Sequence, residues 1–256
     1  MALLSVKDME ISFGGLRALN RVSFDVEEGC IFSIIGPNGA GKTTIFNCIT
    51  GIYRPTGGTI LFKGQEMVGK RPHQAARMGI ARTFQNIELF AHLTTMDNLL
   101  LGRHIHMTTG VFSGALLLGK RFRAAREECA HRERVEKIID FLELEAVRDV
   151  PVASLPYGTR KLVELGRALA MEPTLLLLDE PTAGMNQEEK QDTMFWIQDI
   201  RDDFQVTILM VEHDMGLVMD LSDEVMALNF GVKLVQGTPE RVQTHPDVLE
   251  AYLGKD

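Results

Sequence analysis

The sequence predicts an α/β fold: a core of buried parallel strands, an antiparallel β-subdomain at its start and a helical subdomain inserted into it. Three observations carry that expectation. Short continuous apolar runs at Ile31–Ile35, Leu175–Leu178 and Val206–Val211 read as strands buried on both faces. Each run gives way to polar residues: a glycine-rich turn, then Asp179-Glu180, then Glu212-His213-Asp214. From about 86 to 155 the character becomes helical, and Val135, Ile138, Ile139 and Leu142 follow the i, i+3, i+4, i+7 spacing of an amphipathic helix.

Taken in order, residues 3 to 28 are β-rich. Val22, Phe24 and Val26 alternate with polar neighbours, as a half-buried antiparallel strand requires. Ahead of them, Ile11-Ser12-Phe13 ends a first strand at Gly14-Gly15. Phe13 fits either a core aromatic or a ring stacked on a purine.

Ile31–Ile35 then enters Gly36-Pro37-Asn38-Gly39-Ala40-Gly41-Lys42-Thr43-Thr44, which matches G-x-x-x-x-G-K-[ST] between a strand and a helix ending at Ile49. Glycines allow the backbone N–H groups to fold inward around a phosphate. Lys42 supplies a mobile positive charge for the outer phosphates, and the Thr43 hydroxyl suits Mg²⁺. The following helix points its positive dipole end at the same anion. Together these predict a nucleoside-triphosphate site.

Pro55-Thr56-Gly57-Gly58 is a turn, Thr59 to Phe62 a short strand, and Ile80 to Phe84 another, followed by Gln85. Within the helical segment, Lys120-Arg121-Phe122-Arg123 through Arg134 mixes both charges, as a solvated helix face does. A second amphipathic helix follows Leu155, with Leu162, Val163, Leu165, Ala168 and Leu169 on its apolar face. Pro181 stops the Leu175–Leu178 strand, and Asn186 with Glu189 forms a capping box for the next helix. A hairpin around Gly231 and a helix from Asp247 to Leu253 close the chain. In open α/β sheets ligands bind beyond the carboxyl ends of strands. That rule gathers the phosphate loop, Gln85, Asp179, Glu180 and His213 at one edge. There Asp179 suits Mg²⁺, Glu180 suits a general base for the attacking water, and His213 suits the terminal phosphate or that water. Gln85 suits both metal and water.

Bulk properties narrow the function classes. At 256 residues the chain suffices for one large α/β domain. Its net charge of -8 argues against a surface for duplex nucleic acid. Cys30, Cys48 and Cys129 form no C-x-x-C pair and read as reduced thiols. Neither a secretory signal pattern nor an apolar run near the ~18 residues of a membrane span is expected.

The order Phe13, GPNGAGKTT, Gln85, LPYGTRK, LLLLDEPTAG and His213 resembles an ATP-binding cassette (ABC) domain along essentially the whole chain. More narrowly, Ser12–Leu16, Thr44–Gly51, Ala81–Gln85, Val211–Met215 and the tail from Gln236 to Gly254 resemble the first ATP-binding subunit of high-affinity branched-chain amino acid importers. The resemblance implies a single ABC ATPase domain. Its nucleotide-binding core would span 1–85 and 156–256, with a helical subdomain at roughly 86–155. It also implies ATP with Mg²⁺, and a head-to-tail pair of cassettes, identical or paralogous, with each ATP sandwiched between phosphate loop and partner signature segment.

By position that signature is Leu155-Pro156-Tyr157-Gly158-Thr159, where LSGGQ is commoner, so Tyr157 and Gly158 are implied nucleotide contacts. Pro156 removes a hydroxyl and an N–H. Asn186 replaces a customary aspartate but still caps a helix. Membrane permease subunits are the implied partners, with a substrate-binding protein acting indirectly, no nucleic acid, and a location on the cytoplasmic face of the inner membrane. A partner helix would dock beside Gln85, where Ile87–Phe90 and Leu93 either line a groove or join the core. Cassettes for urea, short amides or lipopolysaccharide share nearly all these motifs. A soluble repair or translation protein would call for two cassettes, a coiled-coil insertion or a basic face. A GTPase would call for N-K-x-D.

Overall fold

The computed structural model describes residues 2–107 and 118–253. In chain order the strands are β1 (Ala2–Phe13), β2 (Leu16–Glu27), β3 (Ile31–Ile35), β4 (Gly57–Phe62), β5 (Gln65–Glu66), β6 (Ile80–Arg82), β7 (Leu175–Asp179), β8 (Thr207–Val211), β9 (Glu224–Asn229) and β10 (Val232–Gly237). The helices are α1 (Lys42–Ile49), α2 (Pro72–Arg77), α3 (Thr95–Gly102), α4 (Leu118–Phe141), α5 (Tyr157–Leu169), α6 (Gln187–Phe204), α7 (Met215–Leu221), α8 (Pro239–Gln243) and α9 (Pro246–Leu253). They divide into two compact units, residues 1–85 with 174–256, and residues 86–173.

In the first unit a six-stranded sheet has the order β10-β9-β3-β8-β7-β6, and a four-stranded sheet has the order β2-β1-β4-β5. β3, β7 and β8 are buried at every position, as their largely apolar runs predict. β3 runs parallel to β8 and β9, and β7 runs parallel to β8 and β6. The register sets the functional edge. Ile34 pairs with Val211 and Val211 with Asp179, so three strands end at one level. β6 is shorter than the Ile80–Phe84 strand expected from sequence. Thr83 N–H still donates to the Leu177 carbonyl at 2.9 Å, which carries Gln85 toward the same edge.

The four-stranded sheet is antiparallel throughout. Val22, Phe24 and Val26 are buried with Leu4, Val6 and Met9, confirming the alternation read from sequence. Phe46 and Ile49 of α1 join the same core as Phe32, Ile34 and Leu177. Each such fully buried side chain contributes roughly 1.5–3 kcal/mol.

The second unit corrects one boundary. Sequence placed the return to the core at residue 156, but the helical unit runs on to Pro173 and takes α5 with it. The reason is packing at Gly166. A Cβ there would lie 3.0 Å from Leu142 Cδ1 and 3.2 Å from Leu99 Cδ2, so α5 sits tightly on α3 and the end of α4. Val135, Ile138, Ile139 and Leu142 are buried as predicted. From residue 125 the charged run is solvated apart from the buried His131, with Arg132 and Glu128 paired at 3.5 Å. The side chains of Lys120, Arg121, Phe122 and Arg123, and the tail residue Gly254, lie outside the described residues.

Candidate functional site

The phosphate loop links β3 to α1, and two of its glycines are fixed by crowding. A Cβ on Gly36 (φ +152°) would stand 2.1 Å from the Leu228 carbonyl oxygen. One on Gly41 (φ +108°) would stand 2.8 Å from Leu19 Cδ2 and 2.9 Å from the Ala18 oxygen. α1 begins with no side-chain cap and no acidic residue in its first turn. Its first N–H groups therefore remain available to an anion. Lys42 Nζ donates to the carbonyls of Gly36 (2.6 Å) and Pro37 (3.2 Å). Burial pulls the Lys42 pKa below the ordinary lysine value, while the charges of Glu180 and Asp179 pull it back up. Thr43 is exposed at the head of α1.

A cavity of about 540 Å³ lies over this loop, lined by Asn38–Thr44 together with Leu16, Arg17, Ala18, Gln85, Glu180 and Phe230. Gln85 Nε2 donates to Glu180 Oε2 at 3.0 Å. His213 Nδ1 lies 3.9 Å from Glu180 Oε1. Three residues widely separated in sequence thus meet, as the strand-end rule predicts. Glu180 has φ +50°, a left-handed conformation uncommon for residues with a Cβ, and its N–H donates to the Val211 carbonyl at 2.9 Å. Strain of this kind persists where surrounding structure imposes it, and it clusters at reactive sites.

Asp179 is buried, and only one of its oxygens is engaged. Oδ2 accepts from Arg82 Nη2 at 2.7 Å, whereas Oδ1 is buried without a hydrogen-bond partner. An orphaned buried carboxylate oxygen is costly unless something completes it. With the Thr43 hydroxyl it offers the hard-oxygen donors that Mg²⁺ takes alongside nucleotide phosphates.

Sequence reasoning did not assign the residues that hold these groups. Arg82 Nη1 donates to Asn47 Oδ1 at 2.6 Å, and its guanidinium lies 5.4 Å from the Phe46 ring centre and 5.0 Å from that of Phe84. Glu212 is completely buried: Oε1 accepts from Thr182 N–H (3.0 Å) and Oγ1 (2.7 Å), and Oε2 accepts from His213 N–H (3.1 Å). An acidic residue directly after the apolar run of β8 was the available signal. The Asn186–Glu189 capping box is present in both directions, at 2.9 and 3.0 Å.

The other predicted contacts lie on other elements. Phe13 is 44% exposed at the end of β1, its ring edge-on to Tyr53 at 5.1 Å. Among the described residues it is not one of those lining the cavity. Tyr157 and Gly158 open α5 in the helical unit, Tyr157 exposed and Gly158 buried.

A largely parallel sheet of this order, with a phosphate loop after β3 and carboxylates at the end of β7, defines the class: a P-loop ATPase. Residues 19–183 match the family model described as ABC transporter, and residues 232–256 match that of the branched-chain amino acid ATP-binding cassette transporter. The chain is 44% identical over 253 residues to the high-affinity branched-chain amino acid transport ATP-binding protein LivG of Escherichia coli (strain K12), covering 99% of this chain and 98% of LivG. It is 42% identical over 256 residues to the corresponding protein BraF of Pseudomonas aeruginosa, with 99% and 98% covered. Among solved structures, a nucleotide-free ATP-binding cassette from an ABC transporter superimposes with TM-score 0.85 at 30% identity over 100% of both chains. The ADP conformation of such a cassette gives 0.85 at 31%, again over 100% of both. The chain belongs to the ABC transporter family and is an ATP-binding cassette of it.

Proposed function

We propose that this cassette hydrolyses Mg²⁺-ATP to drive uptake of branched-chain amino acids through partner membrane subunits. The cargo assignment is carried by the full-length similarity to LivG, with the C-terminal family match in support. Gln85 and Glu180 on the cavity lining, with His213 beside Glu180, support the chemistry.

ATP takes its phosphates into the loop Gly36–Thr44, where Lys42 exchanges the Gly36 and Pro37 carbonyls for phosphate oxygens. Asp179 Oδ1, the Thr43 hydroxyl and Gln85 would hold Mg²⁺, and the ion would supply positive charge to offset that of the phosphates. Glu180 takes the proton of the attacking water as its oxygen bonds to the γ-phosphorus, and ADP departs with the bridging oxygen. Gln85 orients Glu180 through its amide, and His213 faces the terminal phosphate.

A second cassette completes the site head to tail, its Tyr157, Gly158 and the uncapped start of α5 meeting this chain's ATP. Permease subunits dock on residues that directly follow Gln85, where Phe90 is 58% exposed and Leu93 is also exposed. That exposure favours a docking groove over core packing. Among the described residues no helix is long and apolar enough to cross a membrane, so attachment to the cytoplasmic face is peripheral, through those subunits. A substrate-binding protein delivers the cargo to the permease and does not touch this chain.

Uptake of labelled leucine, with labelled urea alongside, tests the assignment in parent cells and in a chromosomal Lys42→Ala strain. Leucine uptake is expected to vanish while urea uptake continues. Leucine uptake that survives would remove the cargo assignment and leave the cassette class standing.

A further inference from the structure

The helical unit buries an arginine against a histidine. Arg103 directly follows α3 and is 2% exposed, and His131 lies on α4 and is 8% exposed. Arg103 Nε donates to His131 Nδ1 at 3.2 Å, and its Nη1 donates to the Ala170 carbonyl at 2.8 Å. Nη1 also lies 3.1 Å from Glu172 Oε1, which Arg134 Nη1 reaches as well. His106, three residues beyond Arg103, donates from Nε2 to the Met171 carbonyl at 2.8 Å. Ala170, Met171 and Glu172 form the exit of α5, so α3, α4 and α5 are tied together at that end.

A proton does different things to the two histidines. His106 gives an N–H to a carbonyl, and that bond survives when its other ring nitrogen is protonated. His131 accepts at Nδ1 from a guanidinium that is always charged, and accepting requires a bare lone pair. A proton on Nδ1 removes that acceptor and sets a second positive charge against Arg103. The charged groups facing His131 are Arg103 and His106 from beyond α3, and Glu127 and Arg134 from α4. Glu172, beyond α5, faces Arg103. Burial, and then the Arg103 charge, holds the His131 imidazole below the ordinary histidine value, with Glu127 opposing. Burial alone would raise the Glu172 carboxyl, but Arg103 and Arg134 hold it below the ordinary carboxylate value, so it stays charged. Among the described residues His131 is the one buried histidine.

We propose that His131 and Arg103 form an acid-sensitive latch, which secures the end of α5 in the helical unit and releases it when His131 takes a proton. As pH falls, the unfolded chain, with its ordinary histidine, takes that proton first. The latch is therefore complete above the ordinary histidine value of 6.5 and is lost as pH falls below it. None of these residues lines the nucleotide cavity. α5 begins at Tyr157 and Gly158, so the device puts a proton sensor on the helix proposed to meet the partner's ATP. The latch itself does not depend on that reading.

Amide hydrogen exchange of α5 and the slow Cε1–H exchange of His131, which reports its titration, are both read by mass spectrometry. The full chain is followed in dilute solution from about pH 8 to about pH 5, alongside thermal unfolding. The variants are His131→Asn and His106→Gln. Asparagine puts an oxygen near the place of Nδ1, so it accepts from Arg103 but takes no proton. In the wild type, α5 protection is expected to fall about fivefold with the midpoint of His131 itself. The wild-type melting temperature should drop about 2–4 °C more over this range than that of His131→Asn. His106→Gln keeps a donor for Met171 and should follow the wild type. Wild-type protection that stays flat, or falls with a midpoint other than that of His131, would overturn the latch without need of any variant. So would an equal fall in His131→Asn, or loss of the fall in His106→Gln, which would make His106 the sensor.

Discussion

Arg82 and Asp179 form a buried ion pair, 2.7 Å from Nη2 to Oδ2, that joins the strand before Gln85 to the strand before Glu180. The guanidinium is always charged and lies near two aromatic rings, so its removal strips Asp179 of its hydrogen-bonded counter-charge. Breaking one side of a buried pair costs about 3–5 kcal/mol. Arg82→Ala is expected to lose that much in urea unfolding, and Arg82→Lys to recover only part, because lysine lacks the fork that reaches Asn47 as well. A loss below about 1 kcal/mol in Arg82→Ala would place the pair among the weak surface kind.

Glu212 acts on His213 and Thr182 through hydrogen bonds, each needing an acceptor. Glu212→Gln keeps one oxygen for Thr182 and turns an NH₂ group against the His213 N–H. His213 should then lose its set position beside Glu180. Steady-state hydrolysis in the assembled transporter is expected to show kcat down at least about tenfold, with KM for ATP nearly unchanged. A raised KM at constant kcat would mean that Glu212 serves binding instead.

The sheet and the phosphate loop were legible because their signals are local. A largely apolar run identifies β3, β7 or β8 by itself, and the spacing of Gly36, Gly41 and Lys42 needs no tertiary information. Strand-end logic then brought Gln85, Glu180 and His213 together correctly. Arg82 was not legible, because its partner lies 97 residues away and a lone arginine beside apolar residues normally reaches solvent. Nor was the end of the helical unit, which depends on Leu99 and Leu142 meeting the bare backbone of Gly166. Phe13 was singled out because it lies ahead of the phosphate loop in sequence.

Burial pushes the Cys48 thiol from 9.0 to about 12, and the Cys30 thiol from 9.0 to about 11, with Asp223 adding to the latter. Cys129 is exposed. At pH 8 an alkylating reagent is therefore expected to label Cys129 rapidly and Cys48 only after unfolding, as read by mass spectrometry of the intact chain. The raised values also give a sign for stability. Well below pH 9 the thiols are protonated in both states and add no pH dependence. Above it the unfolded chain ionises first, so stability falls as pH rises from about 9 toward 12. Cys48→Ala should flatten that fall, and an unaltered slope would assign it to other groups.

Glu180→Gln isolates proton removal from everything else the residue does. The amide has the same shape, can keep the left-handed backbone at φ +50°, and retains one oxygen to accept from Gln85 Nε2. What it loses is the ability to take the proton of the attacking water. ATP affinity should therefore stay within a few-fold while turnover drops by roughly 10²–10⁴. With ATP bound and not consumed, the paired cassettes should accumulate as a stable dimer in gel filtration. Lys42→Ala gives the opposite pattern, losing most ATP binding and forming no such dimer. Wild-type turnover in Glu180→Gln would remove Glu180 as the base and leave His213 as the group to test next.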